Sequence, residues 1–225
     1  MTSESDLKLP GSTERTKINR LSNRSVAERD AMYSILDSAI LCHIGYNEND
    51  QPFVLPYAFV RDGNRLLIHG STGARFMRAL AAGAPTCITV TCLDGLVVAR
   101  STFNSSMNYR SVVVLGVAEA LEGDGKIAAL DVISDGLIPG RTKEVRSSTK
   151  KEIAATTVLA ISLDEASVKV RAAGVVDEPE DYDTGVWAGV IPLRLTASPA
   201  LPDGQEAATL PIPESVKRFI ENPKG

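Results

Sequence analysis

From residue 39 onward, apolar residues fall in short runs with a two-residue period, and turn-forming residues close each run. Ala39–Tyr46, Pro52–Arg61 and Arg65–Gly70 are three such runs, separated by polar turns at Asn47–Gln51 and Asp62-Gly63-Asn64. Strands joined this way predict an antiparallel meander. Thr86–Leu93 continues the pattern, bends at Asp94-Gly95 and resumes at Leu96–Arg100; Tyr109–Leu121, Val158–Leu163 and Gly189–Leu195 follow. Helical spacing is confined to a few places. Ser25 is positioned to cap a helix through Glu28, Met32, Ile35 and Leu36, with Glu28 completing a capping box. Phe76, Met77, Leu80 and Ala81 share a helical face that ends near Gly83, and a further helix spans Lys126 to Leu137. These helices are too few for a doubly wound sheet, and no Gly-rich dinucleotide fingerprint is present. The pattern predicts a mainly β (α+β) chain built as a small antiparallel barrel with flanking helices.

The 225 residues suit one large domain with extensions. We expect a polar arm over 1–23, the barrel over 24–197, and a tail over 198–225. Five of the 12 prolines lie in that tail, which ends in a short helix over Pro213–Glu221. The net charge of −4 disfavours a nucleic-acid partner and suits a small anionic ligand held in a local basic pocket. Cys42, Cys87 and Cys92 all sit in apolar runs and read as reduced, buried thiols. Met1–Pro10 lacks the apolar core of a signal peptide, and no apolar run is long enough to span a bilayer. A soluble, cytoplasmic protein with no membrane partner is expected.

Three segments carry candidate chemistry. His69-Gly70-Ser71-Thr72-Gly73-Ala74-Arg75 joins a strand end to a helix start, and its hydroxyls, glycines and arginine suit a phosphate, with Arg78 one turn on. The same residues also fit a capped helix with solvated arginines. Ala99 to Ser111 is rich in hydroxyls and amides; alternation puts Tyr109 and Ser111 on one face of a strand and Arg110 on the other. Its bland reading is a loop that satisfies its own backbone. The third segment runs from Lys169-Val170-Arg171 through the acidic stretch Asp177–Tyr182, read as a solvated loop, to Trp187, whose indole suits either a planar ring or an interface. Of the two histidines, His43 lies mid-strand and reads as a hydrogen-bonded core residue, whereas His69, beside the phosphate loop, is the functional candidate. Arg141, Lys143 and Arg146 form a basic cluster read as solvated charge.

Taken in order, Leu41–Gly45, Pro52–Pro56, His69-Gly70-Ser71, Arg75, Asp94–Ser101, Ser106–Val112 and Asp181–Pro192 resemble the pyridoxamine 5′-phosphate oxidase-like flavoproteins, in the branch of nitroimidazole-reductase-like and flavin-nucleotide-binding proteins. The resemblance covers roughly Arg15 to Leu195. It implies a six-stranded antiparallel split β-barrel and a homodimer with FMN at the subunit interface. Phosphate contacts would fall on Ser71, Thr72 and Arg75, with His69 and Gly70 beside them and Tyr109, Arg110 and Ser111 nearby. Val54, Leu55 and Pro56 would approach the flavin ring, and Trp187 would lie at the cofactor site.

The chain departs from the family pattern at Asn104 and Ser105, where relatives often carry two histidines. Neither residue can act as an acid or base near neutral pH. The expected activity is a flavin-dependent oxidoreductase that takes electrons from a nicotinamide and acts on a small organic substrate. The alternatives are an FMN-binding storage or sensing protein, or a barrel that uses a deazaflavin or haem; haem would require His43 or His69 as axial ligand. Pyridoxamine 5′-phosphate oxidation itself is the least expected, because no second arginine-rich phosphate seat is evident.

Overall fold

The computed structural model describes residues 7–224; residues 1–6, the start of the expected arm, and Gly225 lie outside the described residues. The strands are β1 (Ser25–Val26), β2 (Leu41–Glu48), β3 (Gln51–Ala58), β4 (Val60–Asp62), β5 (Arg65–Ser71) and β6 (Pro85–Val98). They continue with β7 (Ser106–Val117), β8 (Glu119–Ala120), β9 (Thr156–Ser162), β10 (Ala166–Arg171) and β11 (Gly189–Pro192). The helices are α1 (Arg29–Asp37), α2 (Arg75–Ala81), α3 (Gly123–Leu137), α4 (Lys150–Ala155), α5 (Gly204–Ala208) and α6 (Glu214–Glu221).

Two antiparallel sheets result. One has seven strands in the order β1-β10-β7-β6-β2-β3, with β11 added beside β6; the other has four, in the order β4-β5-β9-β8. This is the expected α+β split-barrel class, built from two sheets with short accessory strands where six strands were expected. The β2–β3 hairpin closes at Asn49 and Asp50, both at positive φ, a turn whose twist matches that of the flanking strands. The meander stops there. After Ala58 the chain leaves the large sheet at buried Phe59, and β4 and β5 pair in the small one.

The core lies between the sheets. Ile44, Ile88, Val90, Val112, Val114 and Val168 of the large sheet meet Leu66, Ile68, Leu159 and Ile161 of the small one, and α1 and α2 contribute to the same cluster. A smaller cluster forms where Ala129 and Ile133 of α3 cover Val60, Leu67, Val158 and Ala160 on the outer side of the small sheet. Burying each such aliphatic side chain contributes about 1.5–3 kcal/mol. Within β6, Leu93 faces Tyr109 and Gly95 faces Asn108, so Asp94 is an extra residue, a β-bulge. The bulge inverts the facing of the strand: Ile88, Val90 and Cys92 are buried before it, and Val97 and Ala99 after it.

Several local expectations fail for identifiable reasons. Ser25 does not cap α1; it pairs with Lys169 in β1–β10, the helix begins at Arg29, and Glu28 instead accepts a hydrogen bond from the Ala27 amide. Lys169-Val170-Arg171 belongs to a full strand, β10. Helix α4 was also unexpected; Thr149 and Glu152 cap it reciprocally. Cys87 is exposed on the outer face of the large sheet, whereas Cys42 and Cys92 are buried. The described part of the arm is tied down, with the Gly11 amide donating to Ala166 O and Lys8, Thr13 and Arg15 all donating to Glu165. In the tail, α6 docks through buried Ser215, which hydrogen-bonds Glu144. Among the described residues, no helix is long and apolar enough to cross a membrane.

Candidate functional site

The end of β5 and the start of α2 form a shelf. The Ser71 hydroxyl accepts from the Gly73 amide at 3.2 Å, and the Thr72 amide donates to Ala155 O at 3.0 Å, so α4 abuts this loop. Ser71, Thr72 and Gly73 are exposed, and Ala74 gives α2 no side-chain cap. Arg75 is mostly exposed; its Nε lies 3.0 Å from Glu48, and its guanidinium covers the Phe53 ring at 4.9 Å. Arg78 is exposed one turn further on. Gly70 is required for packing, since a Cβ there would overlap the Tyr57 hydroxyl and the Met77 side chain. Burial pushes the Tyr57 phenol above its ordinary range.

Beside the shelf runs β3, the edge strand of the large sheet. Val54 faces outward and is exposed, Pro56 lies opposite His43, and Leu55 packs against the core. Pro56 has no N–H, so its pairing with His43 is a non-hydrogen-bonded one, and by alternation so is that of Val54 with Gly45. The Val54 N–H and C=O therefore point away from β2, out of the sheet edge. An open groove of about 720 Å³ starts at the Pro52–Val54 end of this strand and crosses the outer face of the sheet past Gly45, Cys87 and Leu115 to Glu165. An apolar groove with a few polar anchors at its rim is the usual form of a small-molecule site.

The second predicted segment lies elsewhere. Tyr109, Arg110 and Ser111 pair with Leu93, Cys92 and Thr91 on β6, whereas Val54 lies level with Cys87 through Gly45. That places Tyr109 on the order of 20 Å along the sheet from Val54 and about 14 Å across it. Arg110 is occupied: it forks onto Asp94 at 2.8 and 3.0 Å and donates to Ser38 at 3.2 Å, bracing the bulge against the end of α1. Asp94 holds its guanidinium above the ordinary arginine range. In the loop before β7, Ser105 accepts from the Ala99 amide and donates to Ser101 O, and the Asn104 amide donates to Ser101. The loop thus satisfies its own backbone.

Trp187 stands beside the far end of β6 and is 66% exposed. Its indole lies over Gly189, where a Cβ would come within 2.8 Å of the ring. The acidic stretch before it is not uniformly solvated. The Asp177 side chain is fully buried, 3.1 Å from the Arg100 guanidinium, and also accepts from the Arg100 amide. Asn108 ties the same segment down through Ala173 and Arg171, and Tyr182 packs under Arg100 at 5.0 Å. Asp177 escaped the sequence reading because its partner is 77 residues away. Glu48, the partner of Arg75, escaped for the same reason. Within the chain, then, the structure brings together His69, Gly70, Ser71, Thr72, Arg75 and the Val54–Pro56 edge, and leaves Tyr109–Ser111 and Trp187 apart from them.

His43 departs from its expected environment, and His69 does not. His43 is exposed on the outer sheet face, because Cys42 and Ile44 on either side point inward. His69 is half-buried opposite Val158, and burial lowers its pKa, so the ring is neutral at pH 7. Among the described residues neither imidazole makes a side-chain hydrogen bond.

Residues 28–170 match the profile of the pyridoxamine 5′-phosphate oxidase family. The chain belongs to that family. No functionally curated protein matches it. Among solved structures it is similar to an FAD and haem binding protein from Mycobacterium smegmatis, with 41% identity over 88% of this chain and 97% of that one, at a TM-score of 0.85. It is equally similar to the flavocytochrome Anf3 from Azotobacter vinelandii, with 40% identity over 94% and 98% of the two chains and a TM-score of 0.86. A candidate 5-nitroimidazole antibiotic resistance protein from Bacteroides thetaiotaomicron shares the fold, with 24% identity over 65% of this chain and 86% of that one, at a TM-score of 0.55. The matched span contains the ordered motifs from Leu41 to Val112 that carried the resemblance, and the Asp181–Pro192 run lies beyond it.

Proposed function

We propose that this member of the pyridoxamine 5′-phosphate oxidase family binds a flavin nucleotide. The phosphate end rests on Ser71, Thr72 and Arg75, with Gly70 and His69 beside it, and the ring lies against the strand edge at Val54, Leu55 and Pro56. The observation that carries the reading is the juxtaposition of an exposed hydroxyl-and-arginine shelf with an open strand edge at Val54. The donor set fits the ligand: two hydroxyls and a guanidinium suit a phosphate, and an outward N–H and C=O suit the amide-like edge of an isoalloxazine. The family resemblance points to FMN, whereas the Mycobacterium smegmatis relative is named for FAD. Because Tyr109, Ser111 and Trp187 are remote from the shelf within one chain, a site that uses them requires a homodimer with the cofactor between subunits.

When bound, the flavin supplies two-electron redox chemistry, and the protein supplies binding, orientation and electrostatics. The activity proposed is an oxidoreductase acting on a small organic molecule with a nicotinamide as donor. Ser105 is committed to the Ala99 and Ser101 backbone, which leaves it no role in proton transfer.

A second reading, haem in addition to or in place of flavin, is favoured by one observation: His69 is held neutral by burial and makes no side-chain hydrogen bond, the state an axial ligand requires. Absorbance spectra of the purified protein, before and after loading with FMN, FAD or haemin and desalting, test both readings. Retained flavin bands support the first, and a Soret band lost in His69→Ala supports the second. Failure to retain any flavin refutes the flavin site.

A further inference from the structure

The chain between β11 and α6 is held at its two ends. At its start the Leu193 amide donates to Asp94 O, at the bulge of β6. At its end the Ser215 amide, in the first turn of α6, donates to Glu144. The two anchors are linked: Arg110 joins Asp94 to Ser38, and Ser38 shares a cleft with Arg218 and Lys224. Among the described residues, none from 194 to 212 hydrogen-bonds or ion-pairs outside this stretch, and none of them is buried.

Solvent accounts for such amides but not for the side chains. Leu195, Leu201 and Leu210 are 59%, 92% and 63% exposed, and a groove of about 640 Å³ opens between Leu201, Leu210, Ile212 and Val216 instead of closing into a core. Arg194, Asp203 and Glu206 are the only charges between 193 and 213, which leaves little to attract a polyanion or a charged surface. Pro199, Pro202, Pro211 and Pro213 stiffen the stretch, so docking it costs less conformational entropy. A stiff, apolar arm of this kind fits an apolar protein surface.

Such a surface stands at the root of the arm. Ile191, Leu96 and Met107 lie directly opposite one another across β11, β6 and β7, so they share a face, and all three are 43–46% exposed. Trp187 is exposed just before β11. In the single chain the arm leaves this ladder uncovered. Three half-exposed side chains fall short of the roughly 800 Å² per partner that a stable interface buries. A second copy supplies the rest, because one chain carries both an apolar ladder and an arm to lie on it, and a twofold axis lets each arm cover the other's ladder. We infer that residues 194–212 form an exchange arm that clasps a second copy of this chain across the Ile191–Leu96–Met107 face. The arm lies beyond the matched family residues 28–170. The inference rests on the flavin reading only in that a second copy beside Trp187 is what that reading requires.

The test is sedimentation equilibrium of the full-length protein, without added flavin, beside a Leu201→Asp/Leu210→Asp variant. Both leucines are exposed in the single chain, so the variant should keep the parent's far-UV spectrum. The parent should be a dimer, and the variant should dissociate with a Kd at least tenfold higher. A monomeric parent, or a variant that dimerises as tightly as the parent, overturns the clasp. Hydrogen exchange on the parent needs no substitution: the Leu195 and Leu201 amides, which have no partner within the chain among the described residues, should be protected in the dimer, and exchange at intrinsic rates there overturns the clasp as well. Neither measurement involves a flavin, so a protein that dimerises through the arm yet retains no flavin fails the flavin reading alone.

Discussion

Arg75 and Glu48 offer a test in which two substitutions should act in opposite directions. A charge-assisted hydrogen bond from Arg75 to a phosphate is worth about 1.5–3 kcal/mol. Part of that is offset, because Arg75 must first share or release Glu48, 3.0 Å away. The Arg75 side chain is 62% exposed, so that ion pair is worth about 0.2–1 kcal/mol. Arg75→Ala should therefore weaken flavin binding by about 1–2 kcal/mol, roughly five- to thirtyfold in Kd. Glu48→Gln removes both the competitor and a negative charge near the phosphate, and should tighten binding by up to about fivefold. Fluorescence titrations at low and moderate salt measure both changes, and the gap between the variants should narrow as salt screens the exposed charges. Unchanged affinity in Arg75→Ala, or weaker binding in both variants, would refute the shelf as the phosphate seat and leave the pair as a brace between α2 and β2.

Three further predictions concern the rest of the molecule. Asp177→Ala strips a buried partner from Arg100; with Arg100 itself 23% exposed, the loss should be about 2–3 kcal/mol, or roughly 4–12 °C in Tm, and a urea denaturation midpoint equal to the parent's would contradict the clamp. In the native protein one thiol, Cys87, should react rapidly with an aromatic disulfide reagent; Cys42, which burial pushes up to about 12, and Cys92 should react only on unfolding, so three fast equivalents would disprove the assignment. Glu152, held near 2 chiefly by Arg146, has a folded pKa below its ordinary value of 4.5. Its contribution to α4 is thus complete above about 4.5 and lost as pH falls toward 2, so the protection factors of the amides at 150–155, normalised to the intrinsic exchange rate at each pH, should fall through that window, and a flat profile would count against the cap.

Much of the architecture was legible from alternation, and the failures share a cause. Ser25–Glu28 and Thr149–Glu152 share the pattern of a hydroxyl residue followed three positions later by Glu. Only the second caps a helix, because Ser25 is captured by Lys169 across β1–β10. The same alternation that defined β2 also implies that His43 faces outward between inward-facing Cys42 and Ile44, so its exposure was readable from the strand's own period. Within the candidate site, the shelf from His69 to Arg75 was legible because its parts are contiguous. The partners that set its electrostatics, Glu48 for Arg75 and Ala155 for Thr72, come from distant strands and helices that no local window joins. The separation of Tyr109 from Val54 was equally hidden, since it depends on the order of strands in the sheet.

The open edge of β3 has a consequence for solubility as well as for recognition. A bare sheet edge ordinarily templates further strands and seeds aggregation. Along this edge the outward positions are Pro52, Val54, Pro56 and Ala58, so the two residues flanking the Val54 donor have none to give. A polypeptide laid alongside would find donors only at Val54 and Ala58 where its ladder needs four. A small planar molecule needs only the Val54 donor, so the two prolines leave the edge able to hold a ligand while disfavouring another strand.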